Sequence, residues 1–203
     1  MVRLIIAGIL VMVFQPLSAF AGPSRAAALP GGGSVSLPAK YEVIREGDYR
    51  WRDTGGVFAY RNHRSMASGT SECDGMIGVA RADAHPDLDA FVSAARAALT
   101  TRWAFGDETE GRWYGKADTR LPVERRDGPA GPELSGPLQV HIVGFFDVYD
   151  KPGRFYAVEH ESGLRIAIWI FDSHGGEAAA RRMAGKVARS FNGPRPGANP
   201  ARR

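Results

Sequence analysis

The chain has almost no cysteine: Cys73 is the only one in 203 residues. One thiol makes no internal disulfide, so the fold must stand on its core, and no Cys-x-x-Cys metal or redox site can be assembled. Lysine is nearly as scarce, occurring only at Lys40, Lys116, Lys151 and Lys186, so arginine carries most of the positive charge. Those arginines are scattered among acids, as in Arg45-Glu46 and Glu124-Arg125-Arg126-Asp127, and the formal net charge is only +4. A nucleic-acid footprint is clustered, and this pattern argues against one although the pI is about 9.5. No apolar run beyond the N-terminus is long enough to cross a membrane, so no later anchor is expected.

Chemical signatures are missing as well. His63, His85, His141, His160 and His174 form no His-x-x-x-His pair, and there is no Gly-x-Ser-x-Gly. Gly31-Gly32-Gly33-Ser34 lacks the Gly-Lys-Ser/Thr ending of a phosphate loop. Glycosidase chemistry needs two converging carboxylates, and the sequence singles out no pair. No cofactor and no metal are therefore expected. Two arrangements keep chemistry open. His141 and His160 could meet on neighbouring strands, near Asp147 or Glu159. Cys73 could pair with His63 or His85, although the flanking Glu72 and Asp74 raise a thiol's pKa and disfavour the thiolate.

What the chain does contain begins with Met1-Val2-Arg3, the apolar stretch Leu4–Phe14, the break at Gln15-Pro16, and Ala19-Phe20-Ala21 before Gly22. A short basic segment, an apolar core of about 11 residues and a small-x-small site make a secretory signal peptide, too short for a membrane span. Residues 1–21 are thus expected to be removed, and the mature chain to be periplasmic or secreted. Residues 22–37 are rich in Gly, Pro, Ser and Ala and are expected to be a flexible lead.

A single domain is expected over residues 38–191, with a tail at 192–203 expected to be disordered. Tyr41–Arg52 and Val57–Asn62 flank the turn-type Asp53–Gly56, which predicts a β-hairpin. Residues 61–75 look like a loop, and Met76–Ala82 a short strand. Leu88, Phe91, Val92, Ala95, Ala98 and Leu99 recur at helical spacing behind His85-Pro86-Asp87, which predicts an amphipathic helix. Trp103–Thr109 and Arg112–Lys116 predict two short strands. Residues 117–137, with four prolines, predict a long loop. A three-strand meander follows, with turns at Asp150–Gly153 and Glu161–Gly163. Its third strand, Leu164–Phe171, is apolar in both senses, Ile166, Ile168 and Ile170 alternating with Ala167, Trp169 and Phe171. Such a strand must be covered on both faces. A second helix carries Ala180, Met183, Ala184, Val187, Ala188 and Phe191 on one stripe and ends at Gly193-Pro194.

Six or seven strands and two helices predict an α+β fold, a single mostly antiparallel sheet with a helix on each face. This order, with LDAFVSAARAAL after a short strand, GLRIAIWIF, and a final helix ending in Ala188-Arg189-Ser190-Phe191, resembles the PsbP-like superfamily over roughly residues 37–191. The resemblance implies an α/β/α sandwich that binds or assists another protein and has no shared catalytic residues.

For binding, aromatics beside arginines stand out, because Trp, Tyr and Arg dominate recognition surfaces. Trp51 lies between Arg50 and Arg52, and Arg112-Trp113-Tyr114 lies between two glycines. Arg112, Trp113, Tyr114 and Trp51 are the expected binding residues. The expected function is that of an exported, soluble, non-catalytic binding or accessory module of the cell envelope. Its partner would be another envelope protein or a small ligand. The alternative is an envelope hydrolase or thiol enzyme using Cys73 with a histidine.

Overall fold

The computed structural model describes residues 24–43, 55–64, 71–100, 103–105, 113–118, 123–143, 148–171 and 175–194. Among them, Ser24–Ala28 (β1) and Ser34–Pro38 (β2) form a two-stranded sheet. The main sheet has nine strands: Glu42–Val43 (β3), Gly56–Arg64 (β4), Ser71–Arg81 (β5), Trp103–Phe105 (β6), Trp113–Asp118 (β7), Glu124–Gly128 (β8), Gly131–Val143 (β9), Val148–His160 (β10) and Leu164–Phe171 (β11). Their order is β3-β4-β5-β11-β10-β9-β7-β6, with β8 also beside β9, and every pairing is antiparallel. Two helices complete the fold, Leu88–Thr100 (α1) and Gly176–Arg189 (α2).

β11 lies between β5 and β10, and its alternation divides the core in two. Ala167 and Trp169 belong to a cluster with Leu88, Phe91, Val92 and Ala95 of α1, and with Phe58, Met76, Leu134, Leu138 and Phe155 from the sheet. Leu164, Ile166, Ile168 and Ile170 belong to a second cluster with Ala180, Ala184, Val187 and Ala188 of α2. Each helix therefore covers one face of the sheet, as the two-sided strand requires. Each fully buried large aliphatic side chain contributes about 1.5–3 kcal/mol, and β11 buries Leu164, Ile166, Ile168 and Ile170. The helix ends follow local chemistry. Asp87 caps α1, its Oδ1 accepting the Ala90 N–H at 2.7 Å. Gly175, at φ 93°, turns the chain into α2.

Several expectations are corrected. The protein has two sheets, not one, and eleven strands among the described residues, not six or seven. Most of the expected flexible lead is the β1–β2 hairpin. Ala27, Leu29, Val35 and Leu37 alternate along it, are at most 5% exposed, and share the α2 core. Small residues had hidden that period of two. Three successive glycines with positive φ, Gly31, Gly32 and Gly33, reverse the chain between the strands. The outer edge of β2 is closed by the end of α2. Ser34 and Asn192 exchange backbone hydrogen bonds at 2.9 Å, and the Ser36 N–H donates to Ser190 Oγ at 2.8 Å. Asn192, expected to open a disordered tail, is thus a bridge partner, and residues 195–203 lie outside the described region.

The expected 117–137 loop contains β8 and the first half of β9, and the expected 61–75 loop contains the ends of β4 and β5. The expected turn at Asp150–Gly153 lies inside β10. Proline explains the first and third errors. Pro132 pairs with Asp127 of β8 and precedes the first β9–β10 pair, Glu133 with Val158. Pro137 faces Arg154 of β10, at a point where β8 has ended and β7 has not begun. Pro152 faces Gln139 and precedes the first β10–β11 pair, Gly153 with Phe171. Among the described residues each proline has a neighbouring strand on one side only, where a missing N–H can be tolerated.

Candidate functional site

Of the expected binding residues, Trp113 and Tyr114 open β7. The register sets Trp113 opposite Phe105, Tyr114 between Ala104 of β6 and Val143 of β9, and Trp103 opposite Gly115. Aromatic positions are thus gathered on two short strands where the sheet ends at β6. Arg112 and Trp51 lie outside the described residues.

The two histidine arrangements fare differently. His141 pairs with Asp150 at the start of β10, whereas His160 ends that strand opposite Leu164. Ten residues of strand span roughly 33 Å, so these two histidines, which could have met on neighbouring strands, lie far apart. His160 instead closes the β10–β11 turn, its Nδ1 accepting the Ser162 N–H at 3.1 Å. Along the β4–β5 ladder Cys73 is opposite Asn62 and His63 is opposite Glu72. Directly opposed residues share a face and successive residues alternate, so Cys73 and His63 occupy positions of opposite sense. Among the described residues no group of three or more His, Cys, Asp or Glu is placed to hold a metal ion.

A polar cluster lies between α2 and the sheet. Glu133 of β9 is 3% exposed. Its Oε1 accepts the Tyr156 hydroxyl at 2.9 Å, and its Oε2 lies 2.6 Å from Nη1 of Arg181. The Arg181 guanidinium sits over the Tyr156 ring at 5.1 Å and also donates from Nε and Nη2 to Glu177 Oε1, at 3.2 and 3.0 Å. Arg126 approaches Glu177 from β8 at 3.7 Å. A Cβ at Gly128 would overlap the Glu133 carboxylate, so any side chain there would push Glu133 out of its place. The only part legible in sequence was the Glu177–Arg181 spacing of four on a helix. Nothing local marks Glu133 as buried, because its arginine comes from another element.

Burial first, and then the bond to Glu133, push the Tyr156 phenol above its ordinary value of 10.0. Because the raised value belongs to the folded state, this stabilising contribution is complete below pH 10 and is lost as pH rises through the folded-state value. The urea midpoint should therefore fall above pH 10 more steeply in the native chain than in Tyr156→Phe, and parallel curves would contradict the assignment.

Two further buried arginines join elements. Arg81 grips Asp83 through Nε and Nη2, at 3.0 and 2.7 Å, and reaches the Pro194 carbonyl at 3.2 Å. The bond from Arg81 holds the Asp83 carboxyl below the usual carboxylate range. Arg165 donates to Glu159 at 2.7 Å and to the His85 carbonyl at 2.6 Å, tying β11 to the approach to α1. These groups connect layers and do not converge on a cleft. One apolar crevice, lined by Phe58, Met76, Ala95, Phe155, Ala167 and Trp169 among others, has a volume of about 10 Å³. That is on the order of one water and too small for an organic ligand. Among the described residues no helix is long and apolar enough to cross a membrane. No protein-family model matches the chain, and no curated protein is significantly similar to it.

Proposed function

We propose that the chain is an exported, non-catalytic binding or accessory module of the cell envelope, which engages another envelope protein or a small ligand through the aromatic end of its sheet. The observation that carries this reading is the register of β6 and β7, which sets Trp113 opposite Phe105 with Trp103 at a position of the same sense, and Tyr114 at the next position, of opposite sense. Tyr and Trp supply large contact area at low entropic cost, which suits recognition more than hydrolysis. The signal-peptide pattern of residues 1–21 supports export to the periplasm or beyond. The PsbP-like resemblance is compatible with both parts. The alternative, a thiol enzyme built on Cys73, has less support because the ladder opposes Cys73 to Asn62 and not to His63.

The test is affinity capture from an envelope fraction with the native chain and with Trp113→Ala/Tyr114→Ala. Truncating two contact aromatics should cost at least about 2 kcal/mol, a loss of thirtyfold or more in affinity. Equal recovery of the partner by the two proteins would remove this site.

A further inference from the structure

Beyond α2 the chain runs Ser190-Phe191-Asn192-Gly193-Pro194 and crosses the turn of the β1–β2 hairpin. Asn192 and Ser34 exchange both backbone hydrogen bonds at 2.9 Å, which closes the outer edge of β2. The crossing is tight. A Cβ at Gly193 would lie 2.8 Å from the Gly33 Cα and 2.9 Å from the Phe191 ring, so any side chain there would force the two backbones apart. A Cβ at Gly33 would lie 3.1 Å from both the Asn192 carbonyl oxygen and the Gly193 Cα.

The Asn192 side chain takes no part in this junction. Asn192 and Gly193 are both exposed. Among the described residues neither the Asn192 carboxamide nor the Gly193 N–H has a hydrogen-bond partner. A glycine N–H also has no neighbouring side chain to hinder its approach to the preceding carboxamide. The chain has two other asparagines, and neither offers this arrangement: Asn62 precedes the bulky His63, and Asn199 precedes Pro200, which has no N–H.

We propose that Asn192 is a site of spontaneous deamidation in the folded protein, and that its isoaspartyl product releases the end of α2 from β2. The Gly193 nitrogen loses its proton and attacks Asn192 Cγ. A new N–Cγ bond closes a succinimide ring, and the carboxamide nitrogen leaves as ammonia. Water then opens the ring. Breaking the new N–Cγ bond yields aspartate. Breaking the original peptide C–N bond yields isoaspartate, whose main chain runs through Cβ and Cγ and is longer by a methylene. The crossing at Gly33 has no room for that methylene, so the Ser34–Asn192 pair parts and β2 gains an open edge. The inference does not depend on the aromatic end of the sheet.

Mass spectrometry of the tryptic peptide that begins at Ser190 follows the change in the folded, full-length chain during ageing in mildly alkaline buffer. The peptide should gain the mass difference between a carboxamide and a carboxyl group and split into aspartyl and isoaspartyl forms, faster as pH rises. Asn192→Gln should gain no mass over the same time, because its longer side chain closes a less favourable ring. The isoaspartyl fraction should melt below the unaged chain, whereas Asn192→Asp, which adds the charge without the methylene, should melt with it. An unchanged peptide in the folded chain would overturn the site. Equal melting of the isoaspartyl and unaged chains, or Asn192→Asp melting as low as the isoaspartyl form, would overturn the release of α2 from β2.

Discussion

Arg181→Ala should lower the free energy of unfolding by about 3 kcal/mol, although Arg181 is 31% exposed and lies on a helix surface. The cost arises on the other partner. Glu133 is 3% exposed and keeps only the Tyr156 hydroxyl when the guanidinium goes, so a carboxylate is left in the interior without its countercharge. An exposed arginine outside such a cluster costs little when truncated, typically within about 0.5 kcal/mol. The stranded charge also predicts the sign of a double mutant. Adding Glu133→Gln to Arg181→Ala should recover part of the loss, on the order of 1–2 kcal/mol, because a neutral amide still accepts the Tyr156 hydroxyl. Urea denaturation of the two single variants and the double variant measures all three quantities. A double variant less stable than Arg181→Ala would mean that the cluster is held by packing and not by charge pairing.

Trp169→Ala should cost about 4 kcal/mol, and Ile168→Ala about 3 kcal/mol, with the thermal midpoint falling by about 10 °C in each case. The two residues are neighbours on β11 and point into different cores, Trp169 toward α1 and Ile168 toward α2 and the β1–β2 hairpin. Both are at most 1% exposed. In a sheet with one wet face, one substitution of such a pair would be nearly silent. Two large losses are the signature of a strand sandwiched between layers, and a loss below about 1 kcal/mol at either position would show that one layer is not in place. The crevice beside Trp169 is too small to offset the loss by admitting more than about one water.

The three layers around β11 were readable because large apolar residues recur there at the periods of strand and helix. Leu164–Phe171 alternates in both senses, and the stripes of α1 and α2 each repeat at three and four. Patterns of that kind need only a side chain's size and position along the chain. The hairpin Ser24–Pro38 escaped the same reading because its inward residues include alanine and its strands are five residues long. Composition there spoke for a linker, and packing against α2 outweighed it.

The β8–β9 region escaped for another reason. Pro132, Pro137 and Pro152 normally argue against a strand, and only the tertiary arrangement shows that, among the described residues, each has a strand on one side alone. Sites divide along the same line. Trp113 and Tyr114 were selected by composition, and the ladder added their neighbours. The Glu133–Tyr156–Arg181 cluster could not be selected at all, since its members come from β9, β10 and α2 and none is unusual where it stands in the chain.

The sequence by itself determined the two-sided central strand and the helix for each of its faces, because burial of large side chains follows local periodicity. Only the tertiary structure decided which prolines a sheet tolerates, that the N-terminal segment folds, and which glutamate lies buried against an arginine. Those outcomes depend on what sits beside a residue in space, and an antiparallel ladder brings together residues that the chain keeps far apart.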